Sequence, residues 1–214
     1  MADDALPPDP SAPDPNLRRR KTDIPAHSAE RRRWRLKTGV AAAVAVVVLL
    51  VPTGIFWSMA RPVLHKDIID KYAAVYKFDP LFVMALVKVE SRFLKTARSH
   101  RGAIGLMQLM PETALEMARR MGMRVTLEEV EDPQVNILLG YHYLSLLRDE
   151  FKDDKVAMLA AYNAGPGKVR EWRKAGLLTE AGIPFRETRD FVHRVITTHR
   201  WLKRFQRLKN VIDA

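Results

Sequence analysis

Apolar and polar positions divide this chain into three stretches. Residues 1–25 carry six prolines and few large apolar groups. Such a segment cannot bury enough surface to offset its ordering entropy, so residues 1–37 are expected to be a disordered tail. Residues 38–60 (TGVAAAVAVVVLLVPTGIFWSMA) contain no Asp, Glu, Lys or Arg. As a helix this run would span about 34 Å, against a bilayer hydrocarbon core of about 30 Å. Trp34 and Trp57 fall near its two ends, where interfacial aromatics belong. A buried core helix is the weaker reading, because nothing on the N-terminal side could cover it. Cleavage after Ala60 would make the run a signal peptide, but the basic region before it is long for a signal. The expectation is one transmembrane helix acting as a signal anchor; either outcome exports residues 61–214.

Residues 61–214 show helix punctuation. Arg61-Pro62 opens an amphipathic run to about Phe78, and Asp79-Pro80 opens a helix to about Phe93. Asp suits the cap and Pro the first helical position. Pro111 starts a run that stops near Gly122; Asp132-Pro133 starts one to about Phe151; Asp153 or Asp154 caps one to about Asn163. Gly165-Pro166-Gly167 breaks the pattern before a short turn over 168–175, and Pro184 precedes a long helix from about Glu187 to Leu208. No run alternates as a strand and no Asn-Gly or Asp-Gly hairpin occurs, with a small β-rich insertion near 122–130 left open. The expected fold is all-α, a compact domain of six to eight helices.

One carboxylate breaks the pattern. In LFVMALVKVESRF (residues 81–93), Val83, Leu86 and Val87 share a face at about 100° per residue, and Glu90 falls on that face in the last turn. Lys88 and Arg92 point away. Burial disfavours a charged carboxylate, and the negative end of the helix dipole acts the same way. A carboxyl kept neutral near pH 7 is what a general acid needs. A glutamate snorkelling to solvent from the edge of that face is the competing reading.

Two glycine-containing stretches follow. SHRGAIGLMQLM (residues 99–110) offers close backbone approach at Gly102 and Gly105 and an amide at Gln108; AAYNAGPG (residues 160–167) brings Tyr162 and Asn163 to a helix end. Tyr, Asn and Gln around an acid suit sugar recognition, and each stretch alone equally suits packing or capping. Gly167-Lys168 is no phosphate loop, because Tyr162 and Val169 stand where glycine and Ser or Thr are required.

Charge refines this picture. The chain has 36 Lys+Arg and 25 Asp+Glu, a net +11, which by itself suggests nucleic acid. Its placement argues otherwise. Residues 1–37 hold 9 basic and 6 acidic residues, and the basic clusters Arg18–Lys21 and Arg31–Lys37 crowd one side of the apolar run. By the positive-inside rule that side is cytoplasmic and the remainder lies outside. The last helix is also very basic, consistent with a solvated face or with contact to anionic lipid or another acidic surface. The absence of cysteine excludes disulfides, thiolate zinc and a cysteine nucleophile. The six histidines form no i,i+4 pair, so no metal is expected, and no cofactor.

Four ordered blocks now carry a resemblance: VESRF (89–93), AIGLMQLMPETA (103–114), AYNAGPGKV (161–169) and IPFRETRDFV (183–192). Over residues 66–205 the chain resembles the SLT-type lytic transglycosylases, which have a goose-lysozyme-like fold and cleave peptidoglycan. The resemblance implies that Glu90 is the catalytic acid, with Ser91 supporting it. It implies that Ser99 hydrogen-bonds near the acid, and that Met107 and Gln108 line the glycan groove. Tyr162 lies close to the glutamate by the same likeness, beside Asn163, and Glu187 belongs to the last block. Phe191 stands where the family usually has Tyr, so a phenol that could help orient the catalytic groups is missing.

The implied reaction is cleavage of the β-1,4 bond between N-acetylmuramic acid and N-acetylglucosamine, giving a 1,6-anhydromuramyl product. Two rivals remain open. A hydrolytic muramidase needs a second carboxylate, for which Glu112, Glu187 and Asp190 are candidates by composition. A catalytically weak peptidoglycan-binding, envelope-assembly protein is favoured only by Phe191.

Overall fold

The computed structural model describes Trp34, residues 37–40, 42, 44–46 and 65–213. Most of the expected tail and of the expected membrane span, including the cleavage position after Ala60, lies outside the described residues; Trp34 and Lys37 of the tail are helical. Among the described residues no helix is long and apolar enough to cross a membrane. The chain divides into two units, Met1–Gly54 and Ile55–Ala214, and the helical fold belongs to the second.

That fold comprises α1 (Lys66–Tyr76), α2 (Pro80–Ser91), α3 (Pro111–Arg120), a 3₁₀ turn at Glu129–Glu131, α4 (Pro133–Phe151), α5 (Lys155–Ala164), α6 (Pro166–Lys174) and α7 (Arg186–Ile212). The aspartate caps act as their chemistry requires. Asp79 Oδ1 accepts the Leu81 amide at 2.9 Å. Asp132 Oδ1 accepts the Gln134 and Val135 amides at 2.8 and 3.2 Å. Asp154 Oδ1 accepts those of Val156 and Ala157 at 3.0 and 3.1 Å. Each bond satisfies an amide that the helix itself leaves unpaired.

One alternative left open is not realised, and one expectation needs correction. Residues 122–130 form no strand and lead into the 3₁₀ turn; the β-type pairing sits earlier, as isolated bridges Arg98–Ile104 and Ile104–Leu109. The short turn over 168–175 is a nine-residue helix starting at Pro166. Gly165, at φ +88°, makes the bend, and Pro166 is pre-set for a first helical position.

The core is continuous through the domain. α2 buries Phe82, Val83, Leu86 and Val87, and α4 buries Ile137, Tyr141, Leu144, Leu147 and Phe151. Each such side chain contributes roughly 1.5–3 kcal/mol by leaving water. The Tyr141 hydroxyl donates to the Ile69 carbonyl at 2.9 Å, tying α4 to α1. His199 Nε2 meets Asp79 Oδ2 at 2.9 Å, tying α7 to the start of α2. The helix that carries Glu90 in its last turn is therefore fixed at its base and along its length.

Candidate active site

Glu90 lies in the last turn of α2 and is half-buried. Burial pushes its carboxyl from the usual 4.5 up to about 8, against the opposing pull of the Arg194 guanidinium. Glu90 is thus neither in the core nor in open solvent: it sits half-buried in the wall of a cleft. Ser91 is buried, and its Oγ donates to the Val87 carbonyl at 3.1 Å, so it is spent within its own helix.

The segment after α2 folds into a tight platform. Ile104 and Leu109 exchange amide–carbonyl bonds at 2.9 and 3.0 Å, and the Gly105 amide donates to Ala97 at 2.9 Å. Gly105 has φ +78°, and a Cβ there would meet Asn136 Nδ2 at 2.3 Å, so only glycine fits both the backbone and the space. Gln108 takes φ +47°, a costly region for a non-glycine residue. Its side chain offsets that cost: Nε2 donates to the carbonyls of Ala97 at 3.0 Å and Gly105 at 2.9 Å. With both amide hydrogens engaged, Gln108 presents its carbonyl oxygen as an acceptor.

A fully buried residue that sequence reasoning missed holds this platform in place. Asn136, on α4, accepts the Met107 amide at 2.8 Å and donates to the carbonyls of Ile104 at 3.0 Å and Val130 at 2.9 Å. Its signal was available: it lies four residues before Gly140 and eight before Leu144, a polar side chain on an apolar stripe.

α5 supplies the opposite wall. The Tyr162 hydroxyl donates to the Met107 carbonyl at 2.6 Å, and the Tyr143 ring lies 5.4 Å from the Tyr162 ring. Burial, with the nearby Glu90 and Tyr143, holds the Tyr162 phenol well above its ordinary range, so it stays a donor. Asn163 Oδ1 accepts from Thr188 Oγ1 at 2.8 Å, which leaves its NH₂ group for the cleft.

Six of the nine expected residues line one cleft of about 320 Å³: Glu90, Ser99, Gln108, Tyr162, Asn163 and Glu187. His100, Arg101, Ala103 and Met110 complete its wall. Ser99 Oγ accepts the Ala103 amide at 3.0 Å, which leaves its proton to donate. Glu187 is exposed and pairs with Arg101 at 3.6 Å. Three expected residues stand outside the cleft. Ser91 and Phe191 are buried behind it. The expectation that Met107 lines the groove is corrected: its side chain is fully buried beside Gly140, where a Cβ would meet its Sδ at 2.2 Å. Met107 serves through its backbone.

Of the rival second carboxylates, Glu187 alone lines this cleft; Asp190 lines a neighbouring hollow that Glu187 shares, with His193 and Arg194. Among the described residues no three His, Cys, Asp or Glu side chains are grouped to hold a metal ion.

An all-α domain in which a half-buried glutamate, pushed toward its neutral form by burial, shares a cleft with Gln, Tyr and Asn is the arrangement that the SLT resemblance implies. Residues 67–177 match the Transglycosylase SLT domain, and the chain belongs to that family. It is 32% identical over 152 residues to the soluble lytic murein transglycosylase of Escherichia coli strain K12, covering 67% of this chain and 24% of that protein. It is 31% identical over 147 residues to membrane-bound lytic murein transglycosylase C of Actinobacillus pleuropneumoniae, covering 63% and 40%.

Solved structures agree. An inactive glutamate-to-glutamine mutant of the lytic transglycosylase Slt from Pseudomonas aeruginosa matches with TM-score 0.60 and 38% identity, over 63% of this chain and 23% of that one. The 70 kDa soluble lytic transglycosylase in complex with bulgecin A matches with TM-score 0.62 and 31% identity, over 65% and 24%. The chain spans about a quarter of the length of these soluble relatives.

Proposed function

We propose that this protein is a peptidoglycan lytic transglycosylase. It cleaves the β-1,4 bond between N-acetylmuramic acid and N-acetylglucosamine and releases a 1,6-anhydromuramyl product. The observation that carries this reading is Glu90, a carboxyl lifted to about 8 by burial at the floor of a cleft lined by amides and a phenol. At pH 7 about nine in ten such groups hold a proton. Glu90 protonates the leaving oxygen, which lets the glycosidic bond break through an oxocarbenium-like stage. The resulting carboxylate then takes the proton of the muramyl 6-hydroxyl as that oxygen closes on C1. One residue serves twice because the second nucleophile is held inside the substrate. The Gln108 carbonyl accepts, and the Asn163 amide donates, to hydroxyl and acetamido groups of the glycan. The Slt relative that is inactive as a glutamate-to-glutamine mutant supports an indispensable glutamate.

In this proposal residues 38–60 anchor the protein in the bacterial inner membrane, with residues 1–37 cytoplasmic and residues 61–214 periplasmic. The basic clusters before the apolar run support that orientation. Mass measurement of the mature N-terminus tests it: a protein beginning at Arg61 ends the anchor. The chemistry is tested by the mass of fragments released from purified sacculi. Anhydro ends are expected. Reducing ends, heavier by one water, would make the enzyme a muramidase with Glu187 as the second carboxylate, and no release would make it a binding protein.

A further inference from the structure

The catalytic cleft is not the largest concavity of the domain. A groove of about 970 Å³ runs between α2 and α7, lined on one side by Met84, Val89 and Phe93 and on the other by Trp201, Leu202 and Phe205. Its apolar surface does not stop there. Trp201, Phe205, Leu208 and Ile212 follow at i, i+4, i+7 and i+11, so at about 100° per residue they form one stripe. They are 55%, 57%, 63% and 82% exposed, so the stripe has no cover among the described residues. The Trp201 and Phe205 rings stack at 5.6 Å, and the Lys88 ammonium lies 5.3 Å over Trp201.

Charge says what covers it. From residue 191 to 212 the helix carries six Lys or Arg and no Asp or Glu. Arg200, Arg204 and Arg207 flank the stripe and make no ion pair among the described residues. We propose that this half of α7, with the groove beside it, docks on a lipid surface bearing anionic headgroups. The apolar stripe enters the headgroup–acyl boundary, and the flanking cations extend to phosphates. A polyanionic wall polymer accounts for the cations but not for a row of exposed large apolar side chains. A second copy would set cation-rich flanks against each other. Only a surface that is both apolar and anionic satisfies both features. The contact is independent of the proposed anchor, since it uses side chains of the helical domain alone. It lies well along α7 from Glu187: fourteen residues to Trp201 is about 21 Å of helix.

The test uses the full chain mixed with vesicles of brominated phosphatidylcholine, with or without about 30 mol % phosphatidylglycerol. The readout is the fluorescence lost by wild type beyond that lost by Trp201→Phe, which isolates one indole. A drop of about twofold in the anionic vesicles, absent in neutral ones and largely reversed by about 0.5 M salt, is expected. The triple variant Arg200→Glu, Arg204→Glu, Arg207→Glu loses the drop while cleaving sacculi in detergent solution at the wild-type rate. Its cleavage shows that the variant is folded. An unquenched Trp201 in anionic vesicles overturns the proposal, as does equal quenching in neutral vesicles or in the triple variant. A Trp201 signal that answers sacculi, or protein concentration without lipid, and not vesicles assigns the surface to the wall or to self-association instead.

Discussion

The Tyr162 hydroxyl donates to the Met107 carbonyl at 2.6 Å, bridging the end of α5 to the platform that carries Gln108. The phenol beside the proposed catalytic acid is thus a strut between two walls of the cleft. Its proton is committed to a backbone oxygen and is held there by burial. Tyr162→Phe leaves that carbonyl unpaired, at a cost of about 1–3 kcal/mol. We expect a lower urea midpoint and at least tenfold slower release of anhydromuropeptides, because the platform loses its register against Glu90. The alkaline limb of the pH–rate profile should persist, since Glu90 still supplies the proton. Loss of that limb would make the phenol a proton carrier.

Glu90 gives a prediction on both activity and stability. With its carboxyl at about 8, cleavage should fall as pH rises through 8, because the acid form disappears. Stability has the same sign. Between the ordinary value of 4.5 and about 8 the native protein binds a proton that the unfolded chain releases, so stability declines across that window and is lowest above it. Glu90→Gln removes the group that titrates. It should abolish anhydro-product release, match wild type in denaturation at pH 4, and exceed it at pH 9. The gain is at most on the order of 5 kcal/mol, an upper bound because Glu90 keeps some solvent contact. A variant that still released product at the normal rate would sink the assignment.

Asn136 uses its whole amide on three backbone groups, two of them in the platform. Asn136→Ala strands the buried Met107 amide and Val130 carbonyl and leaves the Ile104 carbonyl with the Leu109 amide alone, and about 3 kcal/mol should be lost in urea unfolding. Asn136→Asp keeps the acceptor for Met107 but sets a carboxylate against two carbonyls, and should be no better. Both should lose cleavage beyond what their stability explains, measured well below the midpoint. Gly105→Ala should resemble them, since its Cβ would strike the same amide.

The helix starts at Asp79, Asp132 and Asp154 were legible because a cap is local chemistry: one side-chain oxygen reaches amides two or three residues ahead. Glu90 was legible because helical period is local as well, and the block order beside it named the family. What was not legible is tertiary. No spacing in the sequence shows that Met107 turns its side chain into the gap beside Gly140 and offers its carbonyl to Tyr162, or that Asn136 reaches back 29 residues. The family pattern put Met107 in the groove because a motif marks a segment, while burial decides which of its atoms face the ligand. The helix at Pro166–Lys174 was underestimated for a related reason. Its composition is very polar, and the burial of Val169 and Trp172 against the core, rather than propensity, stabilises it.

Asp79 joins two tasks whose separation can be measured. Oδ1 caps α2 through Leu81, while Oδ2 meets His199 at 2.9 Å and Lys203 at 3.5 Å. Burial pushes its carboxyl up, but the His199 contact, the Leu81 amide and the nearby Lys203 ammonium outweigh it and hold it below the usual range. A carboxyl lowered by folding contributes stability that is present above its ordinary value of 3.8 and lost as pH falls through its native one. Asp79→Ala loses cap and pairing together and should cost about 1–2 kcal/mol near pH 7. Asp79→Asn keeps a good cap and loses only the charge, so it should cost less and show a flatter acid limb in unfolding. Cleavage should change little in either. Glu90 lies eleven residues further along α2, about 16 Å of helix that is buried on its own account. A large loss of activity at wild-type stability would show instead that α2 transmits the pairing at its base to the acid at its tip.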